Sequence, residues 1–195
     1  MAMYPRIVLA SASPRRAELL RQVGVAFDVV PADIVERHPV GMPPGDAARQ
    51  VACDKVTAVA DLTNRELPVL AADTVVILDD EALGKPRDDD EARAMLSRLS
   101  GRTHTVATGV ALIGSGEQRV ESWLVETAVT FRAVDAAEID AYVATGRPLD
   151  KAGAYGIQED AAAFVEAVDG CYYAVVGLPL ADLTRRLMVM QRKRA

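Results

Sequence analysis

The feature that most constrains the fold is an apolar run from Pro68 to Leu78, interrupted at its centre by Asp73 and Thr74. Long apolar runs rich in β-branched residues are typical of strands that are buried on both faces of a sheet. The run therefore predicts a central strand. Because a buried carboxylate is costly unless it is paired or binds a metal, Asp73 indicates either a functional site or a structural ion pair.

The rest of the chain alternates irregularly between helical and extended patterns. Predicted helices cover 15–23, 46–61, 88–99, 135–145 and 180–190, and predicted strands cover 7–10, 27–30, 68–78, 103–113 and 119–131. Two further strands, 163–167 and 172–176, are predicted to form a hairpin around Asp169-Gly170, and loops are predicted over 33–44 and 150–160. This order favours an α/β or α+β fold with a mixed sheet over a doubly wound parallel sheet. Residues 1–195 are predicted to form one domain, either as one body or as two lobes around a cleft.

Several helix ends carry capping signals. Gly24, Gly101 and Gly146 follow predicted helices, where glycine is a common stop residue. Two capping boxes are predicted, from Asp88 with Glu91 and from Asp135 with Glu138, and Ser13 is the predicted N-cap of the first helix.

Composition and charge exclude several classes of protein. The 195 residues carry a formal net charge of -6, which disfavours general binding of nucleic acid. No apolar run approaches the length of a membrane span, and the N-terminus lacks a signal peptide. Cys53 and Cys171 show no metal-ligand spacing and are predicted to be reduced core residues. We therefore expect a cytoplasmic protein without a membrane or nucleic-acid partner.

The first predicted strand runs into Ser11-Ala12-Ser13-Pro14-Arg15-Arg16. Pro14 suits the first position of a helix, but two arginines in the first turn oppose the helix dipole. An anion at the helix N-terminus would relieve this conflict, because free N–H groups and guanidinium groups both bind phosphate. The motif indicates either a phosphate site or a solvated helix start with two surface arginines.

Other candidates are weaker when each is taken alone. Lys85, between Gly84 and Pro86, is either a phosphate contact or a surface lysine, and Lys55 is either a phosphate contact or a lysine that extends to solvent. Glu36 is either a second metal carboxylate or solvated. The loop 150–158 contains glycines and ends at Gln158, an amide that could bind the edge of a nucleobase. His38 and His104 lack partners at ligand spacing and are predicted to be surface or core residues.

Several common catalytic motifs are absent from the sequence. There is no Gly-x-x-x-x-Gly-Lys-Ser/Thr loop, no Gly-x-Gly-x-x-Gly fingerprint, no Gly-x-Ser-x-Gly elbow and no Cys/His zinc pattern. This disfavours a P-loop nucleotide hydrolase, a Rossmann oxidoreductase and a serine hydrolase.

Taken together, these segments resemble the Maf family of nucleoside triphosphate pyrophosphatases. The resemblance rests on five segments that occur in the family's order across nearly the whole chain: Ser11-Ala12-Ser13-Pro14-Arg15-Arg16, Ala72-Asp73-Thr74-Val75, Lys85-Pro86-Arg87-Asp88, Asp150-Lys151-Ala152-Gly153-Ala154-Tyr155-Gly156-Ile157-Gln158 and Val175-Val176-Gly177-Leu178-Pro179-Leu180. The ending Gly156-Ile157-Gln158 is similar to the branch that acts on dTTP and UTP. The sister branch that acts on 7-methyl-GTP has a different loop there.

The resemblance implies a Maf/ITPase-like fold, with an elongated mixed sheet flanked by helices around a nucleotide-binding cleft, often in a homodimer. It implies hydrolysis of dTTP and UTP to the nucleoside monophosphate and pyrophosphate, with a divalent cation, Mg²⁺ or Mn²⁺. Mechanistically, we expect metal-assisted attack of water at the α-phosphorus, dominated by positioning and electrostatics.

The resemblance also assigns roles around the phosphates. Asp73 resembles the family's proton acceptor and, with Glu36, would hold the metal. Lys55 and Lys85 match positions for metal or phosphate contact. We expect Arg16, Lys55 and Lys85 to stabilise the charge that develops on the pyrophosphate leaving group.

Arg15, Thr74 and Gln158 fall where the family sets its base preference. After Gln158 the family usually continues with glycine, whereas this chain continues with Glu159 and Asp160. Beside a triphosphate, these two carboxylates are expected either to point outward or to help hold the metal.

Two other functions stay open. The family is also linked to inhibition of septum formation, so the protein could be a nucleotide-binding regulator of cell division that needs no hydrolysis. It could also be a sister pyrophosphatase that acts on 7-methyl-GTP or on other modified nucleotides. The presence of both Asp73 and Lys85 favours catalysis over regulation, and the loop at Gln158 disfavours the sister activity.

Overall fold

The computed structural model describes residues 3–36 and 41–194. Its strands are β1 (Ile7–Leu9), β2 (Phe27–Val29), β3 (Val69–Leu78), β4 (Glu81–Leu83), β5 (Thr103–Ile113), β6 (Val120–Phe131) and β7 (Val165–Asp169). Its α-helices are α1 (Pro14–Gln22), α2 (Pro44–Leu62), α3 (Asp89–Leu99), α4 (Ala136–Val143), α5 (Tyr172–Val176) and α6 (Leu180–Arg194). Short 3₁₀ turns cover Arg147–Asp150, Ala152–Ala154 and Asp160–Phe164. His38, within the predicted loop 33–44, lies outside the described residues.

The strands form a mixed sheet in the order β2-β1-β3-β5-β6-β7, and β4 also pairs with β3. The pairs of β1 with β2 and with β3 are parallel, whereas β3, β5, β6 and β7 pair antiparallel along the sheet. Helices flank this sheet. The prediction of a mixed α/β fold is therefore confirmed, with β3 as the central strand.

Strand β3 sends alternate side chains into two different cores. Val69 and Ala71 pack with α2, whereas Leu70 and Ala72 belong to a larger core that includes residues of α1, α3 and α6. Because successive side chains of a strand point to opposite faces, Asp73 continues the α2 side of the sheet. Thr74 continues the other side.

One edge of β3 is left open in its middle. Strand β5 pairs along nearly all of β3, but the opposite edge is shared by two short strands. There, β1 pairs with Val69 and Leu70, and β4 pairs with the stretch 76–78. Residues 72–75 lie between these pairings, so among the described residues this edge is free to face a ligand. Asp73 and Thr74 both lie in this gap.

Most of the capping signals are confirmed. Asp135 and Glu138 form a complete capping box, and the Asp88 carboxylate accepts a hydrogen bond from the Glu91 amide. The Glu91 carboxylate accepts from the amide of Arg87 at 2.7 Å, so it does not complete the second predicted box.

One predicted hairpin is wrong in its second half. Strand β7 pairs with β6, but 172–176 form the helix α5 instead of a returning strand. The apolar, β-branched composition of this segment favours a strand. In the structure, however, it is a short helix that Gly177 terminates, and the Gly177 N–H donates to the carbonyl of Tyr173. The N–H of Cys171, just before α5, donates to the Thr127 hydroxyl on β6 at 3.0 Å.

The short strand β4 was not predicted. It follows β3 through a two-residue turn in which Asp79 and Asp80 have φ values of 53° and 61°. Aspartate tolerates this left-handed conformation better than most residues, and such turns match the twist of a hairpin. Asp-Asp therefore acts here as a tight-turn signal.

The structure bears on two expectations from composition, the state of the two cysteines and the lack of a membrane-spanning segment. Cys53 and Cys171 are free and partly buried. None of the helices in the described part of the chain has both the length and the apolar character needed to cross a bilayer.

His104 is a buried core residue, with its side chain among aromatic rings. Its ring contacts Phe131 and Tyr155 edge to face, and its Nε2 lies 2.8 Å from the Tyr155 hydroxyl. Burial lowers the pKa of His104 from 6.5 to about 4. The residue is therefore neutral at physiological pH and helps to fix the loop that ends at Gln158.

This shift predicts an acid-sensitive stability. Between pH 6.5 and about pH 4, the unfolded chain protonates His104 while the folded chain keeps it neutral, so the free energy of unfolding falls as the pH falls. Over that interval the loss attributable to His104 is about 3 kcal/mol. Denaturant unfolding of wild type and His104→Gln at several pH values checks this. Parallel pH profiles of the two proteins would contradict it.

Candidate functional site

A cleft of about 620 Å³ lies at the open edge of β3. It is bounded by the turn from the end of β1 into α1, by the turn after β4 and by the middle of β3. Of the predicted site residues, it brings together Arg15, Arg16, Glu36, Lys55, Asp73, Thr74 and Lys85. Gln158 lies in an adjoining recess of about 70 Å³, which shares Arg15 and Thr74 with the cleft.

Lys55 joins the two predicted metal carboxylates. It projects from α2, and its Nζ donates to Asp73 Oδ1 at 2.9 Å and lies 2.7 Å from Glu36 Oε1. The side chains of Lys55 and Asp73 are only 10% and 14% exposed, whereas Glu36 is 48% exposed. The buried lysine thus does not extend to solvent. Among these three side chains, it neutralises one of the two carboxylates and leaves one negative charge, which faces Arg16 and Lys85.

The charge of Glu36 is set by its neighbours. Partial burial by itself raises the pKa of this carboxyl. The hydrogen bond from Lys55 and the positive charges of Lys55, Lys85 and Arg16 all lower it. The pKa of Glu36 is lowered as a result. Glu36 is therefore an anionic oxygen donor at neutral pH.

The turn before α1 holds Arg16 against the open strand edge. Its guanidinium donates to Ser11 Oγ at 3.1 Å, to the carbonyl of Gly177 at 3.1 Å and to Thr74 Oγ1 at 3.4 Å. Burial lowers the pKa of Arg16, while the nearby Asp73 carboxylate acts in the opposite direction. Held at three points, the guanidinium is a preorganised cation at the base of the cleft.

The backbone conformation at Gly177, which lies against Arg16, favours glycine. A Cβ there would approach Arg16 Cγ and Nε to 3.4 Å, and the residue has a φ of 137°. Glycine is the residue that adopts this backbone conformation without strain. Its presence in the Val175–Leu180 segment is therefore explained by this backbone conformation, in which the Gly177 carbonyl accepts from Arg16.

Ser11 and Ser13 arrange the turn differently from the prediction. Ser13 occupies the N-cap position of α1, but its side chain makes no capping hydrogen bond to any described residue. Instead, Ser11 Oγ accepts from the Ser13 amide at 3.2 Å as well as from Arg16. Both lone pairs of the Ser11 hydroxyl are then used, and its proton is left to donate toward the cleft.

Lys85 and Arg15 both line the cleft. Lys85 is exposed after β4, and the preceding carbonyl of Gly84 accepts from the Gly153 amide at 3.0 Å, which ties this turn to the 150–158 loop. Arg15 donates to Asp150 of the same loop at 3.3 Å. The cleft is therefore enclosed by contacts between segments that are distant in sequence.

The carboxylates after Gln158 are paired within their own loop. Lys151 is buried and lies 3.2 Å from Glu159, and it also donates to Asp150 at 2.6 Å. Arg147 donates to Asp160 at 2.6 Å. Neither carboxylate lines the cleft, but Glu159 lines the adjoining recess beside Gln158. Lys151 had no predicted role, and nothing in its local sequence signals one.

Thr108 is a further polar residue at the site that sequence reasoning missed. It lies on β5 directly opposite Thr74, is fully buried, and its hydroxyl is 2.9 Å from that of Thr74. Its only signal is a polar side chain inside the otherwise apolar stretch 106–113 of β5.

The donor set at Asp73 and Glu36 suits Mg²⁺ better than a softer metal. Both oxygens converge on Lys55 Nζ, so two elements present carboxylates at one place. Mg²⁺ is commonly held by one or two carboxylates, with phosphate oxygens and waters completing its coordination. In the described ranges, 3–36 and 41–194, no group of three or more His, Cys, Asp or Glu could cage a metal. The residues present therefore fit a cation shared with a phosphorylated ligand.

Comparisons with known proteins cover nearly the whole chain. A family model described as Maf-like protein matches residues 6–190. A dTTP/UTP pyrophosphatase of Anaeromyxobacter dehalogenans is 53% identical over 182 residues, 92% of this chain and 91% of the relative. The dTTP/UTP pyrophosphatases of Shigella dysenteriae and Pelotomaculum thermopropionicum are 49% and 46% identical, over 90% and 93% of this chain and 88% and 94% of the relatives.

The similarity to a solved structure is weaker than the similarity to these relatives. The Staphylococcus aureus Ham1 protein is 12% identical, with a TM-score of 0.43 over 65% of this chain and 71% of that chain, and this similarity adds nothing to the assignment. The family model and the relatives confirm the resemblance in the five sequence segments. The chain belongs to the Maf family.

Proposed function

We propose that this protein hydrolyses dTTP and UTP to the nucleoside monophosphate and pyrophosphate. One observation carries the proposal: Asp73, on an open strand edge, lies in one cleft with Arg16, Lys55 and Lys85. A carboxylate next to several cations is suited to activating a water beside a polyphosphate. The relatives named dTTP/UTP pyrophosphatase support the reaction and the substrates.

In the proposed reaction, Asp73 acts on the attacking water. Lys55 occupies Oδ1 of this carboxylate, which leaves Oδ2 for the water. Oδ2 takes the water's proton as a bond forms between its oxygen and the α-phosphorus. The bond from the α-phosphorus to the bridging oxygen breaks, and pyrophosphate leaves with the electron pair.

Four groups are placed to bind the phosphates. Arg16 and Lys85 carry positive charge into the cleft, the Ser11 hydroxyl has a proton to donate, and the N-terminus of α1 opens onto the same space. Lys55 lies deeper and orients Asp73. Because Arg16 and Ser11 are fixed by contacts within the protein, they stabilise the charge on the leaving group with little reorganisation.

Asp73 and Glu36 would hold a divalent cation, which we propose to be Mg²⁺, with Mn²⁺ as a substitute. When bound, the cation would neutralise part of the negative charge of the triphosphate. Lys55 keeps the two carboxylates together without it, since its Nζ contacts both.

The base is proposed to enter the recess beside Gln158. This recess is lined by Arg15, Thr74 and Gln158, by the paired Lys151 and Glu159, and by apolar residues such as Val175. Uracil and thymine present a carbonyl, an N–H and a second carbonyl along one edge. The amide of Gln158 can donate to the carbonyl at ring position 4, where cytosine carries an amino group instead.

Gln158→Ala is expected to relax the base preference more than it slows the best substrate. The ratio of kcat/KM for UTP to that for CTP should fall about tenfold, whereas kcat for UTP should fall less than about threefold. Steady-state kinetics on both nucleotides measure this. Asp160→Asn, two residues away and paired with Arg147, is the matched control and should keep the ratio. An unchanged ratio in Gln158→Ala would remove Gln158 from base recognition.

Pyrophosphate release from dTTP, UTP, CTP, 7-methyl-GTP, ITP and dATP with Mg²⁺ tests the proposed function. Release from dTTP and UTP above the others supports it. Release chiefly from 7-methyl-GTP or ITP would move the protein to a sister activity. Binding of UTP without release from any nucleotide would contradict hydrolysis and support a regulatory role.

We also propose that the substrates are free cytoplasmic nucleotides. The net charge of -6 supports this, because an acidic protein is a poor general binder of nucleic acid. Fractionation of cells that produce the protein, followed by immunoblotting, tests the compartment.

A further inference from the structure

Three polar groups are joined in a line of hydrogen bonds that begins at the base recess. The Thr74 hydroxyl is 2.9 Å from the Thr108 hydroxyl, and the Thr108 hydroxyl is 2.7 Å from the carbonyl oxygen of Ala174 on α5. Thr108 is fully buried between the other two. Thr74 is the member of this line that borders both the recess and the cleft.

The direction of each hydrogen bond in this line is determined. The Ala174 carbonyl can only accept, so Thr108 must donate its single proton to it. Thr74 must then donate its own proton to Thr108. The contact with Arg16 agrees, because the guanidinium can only donate and lies 3.4 Å from Thr74 Oγ1. Thr74 therefore has one lone pair, and no proton, left to present to a ligand.

The end of α5 holds the Ala174 carbonyl in place for this role. The N–H groups of Gly177 and Leu178 both donate to the Tyr173 carbonyl, at 3.0 and 2.9 Å. The helix ends there, and the next carbonyl, that of Ala174, turns to Thr108. The polarity of the line thus originates in a backbone group that cannot reverse.

We propose that Thr108 is a positioning residue that makes the Thr74 hydroxyl an obligate hydrogen-bond acceptor, and so favours uracil and thymine over cytosine. This inference rests on the proposed function. At ring position N3, uracil and thymine carry an N–H, whereas cytosine carries a lone pair. An acceptor-only hydroxyl pairs with the N–H and leaves two lone pairs facing each other with cytosine.

Thr108→Val tests this, because it keeps the shape of the side chain and removes the hydroxyl. The Thr74 hydroxyl is then free to rotate and donate to cytosine, so the UTP:CTP ratio of kcat/KM should fall about tenfold. Thr108→Ser keeps the hydroxyl and should keep the ratio. An unchanged ratio in Thr108→Val, or an equal loss for both substrates, would overturn the proposal.

A second background separates positioning from general damage. In Thr74→Val, which lacks the hydroxyl that Thr108 orients, adding Thr108→Val should leave the ratio unchanged within about twofold. An equal further fall in that background would show that Thr108 does not act through Thr74.

Binding distinguishes failure of this inference from failure of the proposed function. Dissociation constants for the α,β-imido analogues of UTP and CTP give the same ratio without hydrolysis. If the wild type releases no pyrophosphate, hydrolysis is contradicted, and the binding ratio in Thr108→Val still decides the role of Thr108.

Discussion

Asp73→Asn is expected to lower kcat for pyrophosphate release by about 10²- to 10⁴-fold while the fold is preserved. The amide oxygen of asparagine can still accept the hydrogen bond that Lys55 donates to Asp73 Oδ1 at 2.9 Å. Its NH₂ group, however, cannot take a proton from the attacking water. The change therefore removes proton transfer and leaves the contact between α2 and β3 in place.

Asp79→Asn is the matched control, because it removes the same charge from the turn that follows the same strand, where Asp79 pairs with Arg102 outside the cleft. It should keep wild-type activity. Titration with Mg²⁺ then separates the two roles of Asp73. A kcat that stays low at saturating Mg²⁺ indicates the base, and a kcat that recovers indicates a metal ligand alone. A rate within about threefold of wild type at all Mg²⁺ concentrations would contradict both.

The position of Asp73 in a central strand could be predicted because the signal for it is local. A carboxylate in the middle of an apolar run is visible in the sequence, and the central position of β3 in the sheet confirms the fold behind that prediction. The capping box of Asp135 with Glu138 and the glycine stops are equally local. Such features depend on residues within one or two turns of each other, which is the range over which sequence patterns carry structural information.

The remainder of the site depends on contacts between distant segments. Lys55 meets Glu36 and Asp73 only because α2 packs on the sheet beside β3. For 172–176, the strand preference of apolar residues was overridden by a short helix whose Ala174 carbonyl binds Thr108, 66 residues earlier in the chain. No pattern within either segment indicates the other.

Gly109→Ala is expected to destabilise the protein by about 3 kcal/mol or more and to lower the melting temperature by about 6 to 12 °C. Gly109 lies on β5 directly opposite Asp73. A Cβ built there would lie 2.3 Å from Arg49 Cα and 2.4 Å from Arg49 N, both in the backbone of α2. Backbone atoms of a buried helix cannot move aside singly, so the whole helix must shift.

Gly45→Ala in α2 is the matched control, since its new methyl group would meet movable side-chain atoms, of which Leu124 Cδ2 at 3.0 Å is nearest. Thermal unfolding should separate the two variants clearly. Because α2 also carries Lys55, six residues beyond Arg49, a shift of the helix should weaken the contact of Lys55 with Asp73. The folded fraction of Gly109→Ala should therefore turn over more slowly. If Gly109→Ala matched Gly45→Ala in both melting temperature and kcat, close packing of α2 on β5 would not be what places Lys55 against Asp73.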